Sequence, residues 1–171
     1  DAATAPVPRA AAVAAALAPH ATLDEIVAAG MQGAHAGLLL VERWMGASIA
    51  RRIDLAVQIA RRRGSERERI QELYDVVGST LAMTDSVPAA FGILVMARGD
   101  PQQTAVYGAA LSGDADTVAA MACAVAGAWK GTGVFDPQVI AALHAANPEL
   151  DFEATARGLL GVIERRAEKN G

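Results

Sequence analysis

Residues 112–129 read SGDADTVAAMACAVAGAW, in which two aspartates and a threonine precede an uncharged run of small and apolar residues. The run has no polar face and meets no charge before Lys130, which predicts a helix buried on nearly all sides. The first N–H groups of any helix lack an intrahelical partner. Asp114, Asp116 and Thr117 stand at this start, where capping and the helix dipole favour oxygen atoms. We therefore expect this helix to form the centre of the fold.

The acidic start of this helix has two interpretations. A single aspartate would suffice as a helix N-cap. The alternative is a metal site, because Asp114 and Asp116 point the same way in an extended or turn conformation. Gly113 and Ala115 leave room for a cation between them, and Thr117 adds a hydroxyl. Ligands that are all oxygen select Mg²⁺, Mn²⁺ or Ca²⁺ over zinc or copper.

The composition indicates a globular, helical protein. The chain has 171 residues, which fits one domain or a large part of one. Hydrophobic residues make up 53% of it and aromatic residues only 4%, so the core should consist of closely packed Ala, Leu, Val and Ile. The formal net charge of −4 argues against nucleic acid as a partner.

The sequence also bears on the compartment. Cys123 is the only cysteine, which excludes a disulfide framework and favours a reducing compartment such as the cytoplasm. No apolar run approaches the roughly 18 residues of a membrane span, so no membrane partner is expected. The N-terminus shows no signal-peptide pattern. Because the chain starts at Asp1 rather than at Met, we expect that its true start was removed or lies upstream.

Helix signals follow one another along the chain. Thr22 to Glu25 and Ser65 to Glu68 are capping boxes, and Asp-Pro pairs at residues 100–101 and 136–137 open two further helices. Ser86 is predicted as the N-cap of another helix, with Pro88 in its first turn. The predicted helices span about residues 9–17, 23–35, 46–63, 65–77, 86–98, 101–111, 117–129, 137–144 and 152 onwards.

Nothing in the sequence alternates like a strand. Residues 1–8 are expected to be extended, and residues 38–44 fit either a helix or a loop. The predicted fold class is therefore all-α, a compact bundle of about eight or nine helices around a buried Ala-rich central helix.

Two segments carry a resemblance to a known family. The stretch SGDADTVAAMACAVAGA at residues 112–128 resembles the closing metal motif of the ADP-ribosylglycohydrolases, relatives of the glycohydrolase that reactivates ADP-ribosylated dinitrogenase reductase. The upstream stretch DSVPAAF at residues 85–91 is similar to the family's acid-Ser-Val-Pro-Ala-Ala segment and lies at a family-like distance. The resemblance covers only the second half of a typical member. Residues 1–171 are accordingly expected to be the C-terminal part of a single domain.

The resemblance implies a site with two magnesium or manganese ions. Asp114, Asp116 and Thr117 would be metal ligands, and Asp116 would also act in catalysis by bridging the ions or orienting water. Ser112, Gly113 and Ser86 would line the substrate pocket. For Ser86 the capping role is an equal expectation, and the two roles are compatible.

Part of the family pattern does not occur in this sequence. The other metal ligands of the family come from an early Thr-Asp-Asp segment, whereas the only Thr-Asp here is Thr84-Asp85, followed by Ser86. The family's early Gly-Asp segment and its Gly-Asn-Gly substrate loop do not occur either. The chain thus carries half a metal centre. The other half would belong to a separate chain, to a cleaved fragment or to residues beyond this sequence; alternatively, the chain is a degenerate relative that binds no metal.

The implied reaction is hydrolysis of the glycosidic bond between ADP-ribose and an acceptor. The expected partners are an ADP-ribose-containing substrate and the missing N-terminal half. The competing hypothesis is a non-catalytic all-helical module of the same fold, used for binding or structure. A further alternative is an unrelated Ala-rich helical domain. The sequence leaves the acceptor open.

Overall fold

The computed structural model describes the backbone of residues 6–40 and 46–170 and the side chains of residues 7–40 and 46–166. Contacts divide the chain into two units, residues 1–134 and 135–171. The first contains α1 (Pro6–Ala16), α2 (Leu23–Leu38), α3 (Ile49–Arg61), α4 (Glu66–Glu72), a π-helical turn (Leu73–Val77), α5 (Met83–Met96), α6 (Pro101–Ala110), α7 (Ala115–Lys130) and a short 3-10 helix (Thr132–Val134). The second contains α8 (Pro137–Ala146) and α9 (Phe152–Asn170). With nine α-helices and no strand in the described ranges, the predicted all-α class is confirmed.

Three of the predicted helix starts, those of α2, α4 and α6, are present as hydrogen bonds. The Thr22 hydroxyl accepts from the Glu25 amide at 3.3 Å, while the Glu25 carboxylate accepts from the Thr22 amide at 2.8 Å. Ser65 and Glu68 form the same reciprocal pair at the start of α4. Asp100 accepts from the amide of Gln103 and so caps α6. The capping patterns, each within four residues of sequence, therefore determine where these helices begin.

The ends of the first two helices differ from the prediction. Helix α1 already includes Pro6, since proline is tolerated in the first turn, so residues 6–8 are helical rather than extended. Helix α2 continues past His35 to Leu38. The expectations for residues 1–5 and for most of the 38–44 segment fall outside the described residues, because residues 41–45 lie outside them as well.

Helix α5 is the centre of the first unit. Every residue from Ser86 to Ala97 is buried. The helix packs against α3, α6, α7 and the π-helical turn. Its large side chains Phe91, Ile93 and Leu94 are apolar and nearly inaccessible, so burial of α5 supplies much of the hydrophobic stabilisation of this unit.

The prediction that α7 is buried on nearly all sides is wrong. Its buried residues are Val118, Ala122, Val125 and Ala126, which lie on one face. Ala120 and Ala124 are exposed. A methyl side chain gains little by burial and loses little by exposure, so an alanine-rich sequence without charge does not decide between the two. Helix α7 is a half-buried helix packed on α5, α6 and α1.

The predicted start of α5 also needs correction. Ala82, not Ser86, precedes the first helical residue, Met83. Ser86 lies inside the helix, where its hydroxyl donates to the carbonyl of Ala82 at 3.2 Å. Pro88 consequently stands in the second turn and has no N–H to donate to Thr84.

The second unit is a pair of helices. The His144 ring of α8 meets the Phe152 ring of α9 edge to face, with centroids 5.8 Å apart. None of the described side chains of this unit, residues 135–166, is buried. Across the described ranges of the whole chain, the helices lack the combination of length and apolar character that crossing a membrane requires.

Candidate active site

A left-handed turn leads into α7. Ser112 has a φ of 72° and Gly113 a φ of 63°. A Cβ atom on Gly113 would lie 2.1 Å from the carbonyl oxygen of Ser79, so only glycine fits this position. The two predicted substrate residues therefore shape the backbone that brings Asp114 to the start of the helix.

Ser79 fixes this turn from the loop before α5. Its carbonyl accepts from the amide of Asp114 at 2.9 Å, and its hydroxyl donates to the carbonyl of Ser112 at 2.9 Å. Ser79 is only 3% exposed. Two hydrogen bonds that span more than thirty residues thus connect the two segments singled out by the sequence.

The Asp114 carboxylate contacts Thr117 and has one oxygen without a partner. The Thr117 hydroxyl donates to Asp114 Oδ1 at 2.9 Å. Asp114 Oδ2 is buried and accepts no hydrogen bond from any described residue. Asp114 occupies the N-cap position of α7, but its side chain makes no capping hydrogen bond. The simpler sequence interpretation, an aspartate used as a cap, does not account for this arrangement.

A buried acceptor without a donor is costly, and a bound cation would satisfy it. Asp114 and Thr117 together offer carboxylate and hydroxyl oxygens, the ligands of Mg²⁺ and Mn²⁺. In the described part of the chain, however, no three His, Cys, Asp or Glu side chains are grouped so as to hold a metal ion. The oxygen ligands present are of the type that a hard cation prefers, but they are too few to form a complete metal site.

Asp116 lies in the first turn of α7 and is exposed. It is helical, so the extended conformation that would align it with Asp114 does not occur here. The residue that contacts Asp114 is Thr117 instead. The roles of Asp116 as metal ligand and catalytic residue stay predictions.

Two neighbouring cavities contain four of the six sequence-predicted site residues, whereas Ser112 and Asp116 line neither of them. The first, here called the Asp114 cavity, is lined by Tyr74, Ser79, Thr80, Leu81, Ala82, Gly113 and Asp114. The second, the Ser86 cavity, is lined by Arg9, Leu81, Met83, Ser86, Val87, Thr117 and Met121. Leu81 borders both cavities and is 87% exposed. Each cavity therefore combines residues of the loop before α5 with residues at the start of α7.

An ion pair anchors that loop. Arg52 of α3 lies 3.2 Å from Asp85 Oδ1 and also donates to the carbonyl of Val77. The Thr80 hydroxyl donates to Asp85 Oδ2 at 2.8 Å, and the Thr84 hydroxyl donates to Oδ1 at 3.1 Å. With both oxygens engaged, Asp85 holds the loop in place, and the loop holds Asp114 through Ser79.

Sequence reasoning missed Ser79, Thr80 and Tyr74 as cavity residues. The available signal was the polar run Gly78-Ser79-Thr80 just before a helix, which identifies a loop but not its partner. Asp85 was recognised as part of a family segment, without its pairing to Arg52.

Comparison with known proteins identifies relatives. The sequence model of the ADP-ribosylglycohydrolase family matches residues 2–169. The chain is also 38% identical over 120 residues to "Uncharacterized protein YegU" of Escherichia coli (strain K12). That similarity covers 70% of this chain and 36% of the relative, so the matched part spans little more than a third of the length of YegU. No solved structure matches.

Proposed function

The chain belongs to the ADP-ribosylglycohydrolase family, and we propose that it contributes part of the active site of a metal-dependent hydrolase. The proposed reaction cleaves the glycosidic bond between ADP-ribose and an acceptor, which is a protein side chain or a small molecule. One observation carries the proposal beyond family membership: the buried Oδ2 of Asp114, which lacks a partner at the start of α7.

The proposed metal ligands are Asp114, Asp116 and Thr117, for two Mg²⁺ or Mn²⁺ ions in the complete site. When bound, two such ions would hold ribose hydroxyls and activate a water molecule. Asp114 offers its free oxygen, and the hydrogen bond from Thr117 fixes the orientation of the carboxylate. The exposed Asp116 carboxylate is the proposed group that orients the attacking water and accepts its proton.

The water oxygen would bond to the C1″ carbon of the ribose while the bond from C1″ to the acceptor breaks. The proton that Asp116 takes from the water would return to the leaving acceptor, and free ADP-ribose is the other product. Ser112 and Gly113 would line the substrate pocket through the backbone of their left-handed turn. The Ser86 hydroxyl already donates within α5, so it would meet substrate as an acceptor.

The remaining ligands are proposed to come from the Thr-Asp-Asp half of the family fold, as a second chain or another part of the protein. We propose the cytoplasm as the site of action, since the lone, half-buried Cys123 fits a reducing compartment.

The alternative function is a helical module of the same fold that binds or supports without catalysis. The described residues contain no group of three possible metal ligands, which is compatible with such a module and equally with half of a metal centre. Such a module would keep the fold and the Ser79–Asp114 contact but would not release ADP-ribose.

An assay of ADP-ribose release separates the two functions. The chain, combined with the proposed Thr-Asp-Asp half, would be incubated with ADP-ribosyl-arginine and with ADP-ribosyl-serine peptides in Mn²⁺, beside the same preparation carrying Asp114→Asn. The matched control is Asp54→Asn, which changes an exposed aspartate of α3. Release that requires Mn²⁺ and Asp114 but not Asp54 supports the hydrolase. Bound Mn²⁺ without release from any substrate would favour the non-catalytic module.

A further inference from the structure

Three arginines surround a surface hollow at the end of the first unit that lies away from Asp114. Arg61, Arg69 and Arg98 line this arginine hollow together with Leu23, Ala60, Val95 and Met96. Arg61 ends α3 and Arg98 follows α5, whereas the Arg52–Asp85 pair stands near the opposite ends of these helices. The 14 residues of α5 span about 20 Å, so the hollow is well separated from both cavities of the candidate active site.

Arg69 is incompletely satisfied. Its Nη1 donates to the carbonyl of Ala60 at 3.0 Å, near the C-terminus of α3. Its Nε is buried and has no hydrogen-bond partner among the described residues. The guanidinium thus covers one helix carbonyl, and its Nε is an unsatisfied donor that a ligand reaches once the side chain shifts.

Arg98 is held in position by its backbone while its side chain is free. Arg98 and Gly99 have φ values of 53° and 73°, the left-handed turn that ends α5. The Trp129 ring lies 2.2 Å from where a Cβ of Gly99 would be, and the Trp129 indole donates to the carbonyl of Ala21 at 2.9 Å. The exposed Arg98 side chain makes no hydrogen bond or ion pair with a described residue.

The three arginines of the hollow outnumber the carboxylates that pair with them. Arg61 pairs with Asp24, which does not itself line the hollow, and neither Arg69 nor Arg98 pairs with a carboxylate of the described residues. Helix α2 begins at Leu23, but Asp24 and Glu25 in its first turn offset the positive end of its dipole, so the arginines alone supply the attraction. The C-terminus of α3 attracts a cation, but one guanidinium on the Ala60 carbonyl meets that need. Neither Arg98 nor the Nε of Arg69 is therefore needed to neutralise the C-terminus of α3.

We propose that the arginine hollow binds a phosphate group. The planar donor forks of Arg69 and Arg98 match the oxygens of phosphate, and the apolar floor of Leu23, Val95 and Met96 limits competition from water. The source is either inorganic phosphate or the terminal phosphate of a nucleotide. This site is independent of the proposed hydrolase function, since it contains none of the residues assigned to that reaction.

Calorimetric titrations with inorganic phosphate and with ADP test the proposal. They would be run in EDTA at constant ionic strength, so that no divalent cation can bring phosphate to Asp114. The variants are Arg98→Gln, an exposed change that leaves the packing intact, and Arg69→Gln. The control is Arg51→Gln, which removes the same charge from an exposed position of α3. Circular dichroism would verify the helical content of each variant.

We expect one phosphate per chain, with affinity at least about tenfold weaker in Arg98→Gln and in Arg69→Gln and unchanged in Arg51→Gln. Tighter binding of ADP than of phosphate would identify a nucleotide as the source, and equal affinity would identify the free ion. Failure of the wild-type chain to bind either probe at millimolar concentration would overturn the proposal. Equal weakening in Arg51→Gln would overturn it as well, because the attraction would then be general rather than local.

Discussion

The substitution Gly113→Ala should weaken both the fold and the site. The left-handed φ of 63° costs a non-glycine residue roughly 1 kcal/mol. The new methyl would also overlap the Ser79 carbonyl oxygen at 2.1 Å and force the turn away from Ser79. That shift breaks the two hydrogen bonds between Ser79 and the turn, each worth about 1 kcal/mol. The expected loss is about 3 kcal/mol, a large part of the 5–15 kcal/mol that stabilises a typical domain.

Urea unfolding followed by circular dichroism measures this loss, with Gly127→Ala as the matched control. Gly127 lies inside α7, and a Cβ there would meet no atom within 4 Å. Alanine at this helical position should stabilise the chain by about 0.5–1 kcal/mol. The same chemical change is thus expected to have opposite signs at two positions 14 residues apart. A Gly113→Ala variant as stable as wild type would refute the account of the Ser79–Asp114 contact.

Three further predictions concern the Arg52–Asp85 pair, the carboxylate of Glu68 and the thiol of Cys123. Asp85→Asn breaks the half-buried ion pair with Arg52 and should lower the free energy of unfolding, measured in urea, by about 1–3 kcal/mol. The exposed change Asp54→Asn should lower it by less than about 0.5 kcal/mol. Equal losses in the two variants would contradict the anchoring role of Asp85. Hydrogen bonds from the backbone and side chain of Ser65 lower the pKa of Glu68 from its ordinary value of 4.5, so they stabilise the fold above that pH and are lost as the pH falls below it. The stability gap between wild type and Glu68→Gln in urea should therefore close on acidification, and a gap independent of pH would contradict this. Burial raises the pKa of the Cys123 thiol, so less of it is thiolate in the folded chain. Iodoacetamide at about pH 8 should therefore alkylate the folded chain more slowly than the chain unfolded in urea, as measured by mass spectrometry. Equal rates would show that the thiolate is accessible in the folded chain.

Local signals in the sequence predicted most helix starts. The capping boxes at Thr22 and Ser65 involve only residues three positions apart, so they can be recognised from the sequence alone. The Asp-Pro pair at the start of α6 can be recognised from the sequence for the same reason.

The sequence did not reveal which helix is central. Both α5 and α7 lack a charged face over most of their length, and the alanines of α7 make its sequence resemble that of a buried helix. The difference lies in side-chain size, because Phe91, Ile93 and Leu94 require a surrounding core and the alanines of α7 do not. The start of α5 differs from the prediction for another reason. Proline is well tolerated in the first turn of a helix, so the sequence predicts Pro88 there, but α5 begins earlier, at Met83, and Pro88 lies in its second turn.

The sequence indicated that Asp114 and Thr117 lie close together, but not which residues hold them in place. A motif of adjacent polar residues located Asp114 and Thr117, and the structure joins them by a hydrogen bond. The Ser79 contacts and the Arg52–Asp85 pair connect residues more than thirty positions apart in the chain. Such pairings depend on how the helices pack, which no local pattern encodes.

The most direct test of the central claim is a calorimetric titration with Mn²⁺ of the wild-type chain, Asp114→Asn and Asp54→Asn. If the buried Oδ2 of Asp114 is a metal ligand, wild type and Asp54→Asn should bind Mn²⁺ and Asp114→Asn should not. About two ions per chain would indicate that the full set of ligands is present, and a single weak site would indicate half a centre. Binding by Asp114→Asn equal to that of wild type would contradict the claim.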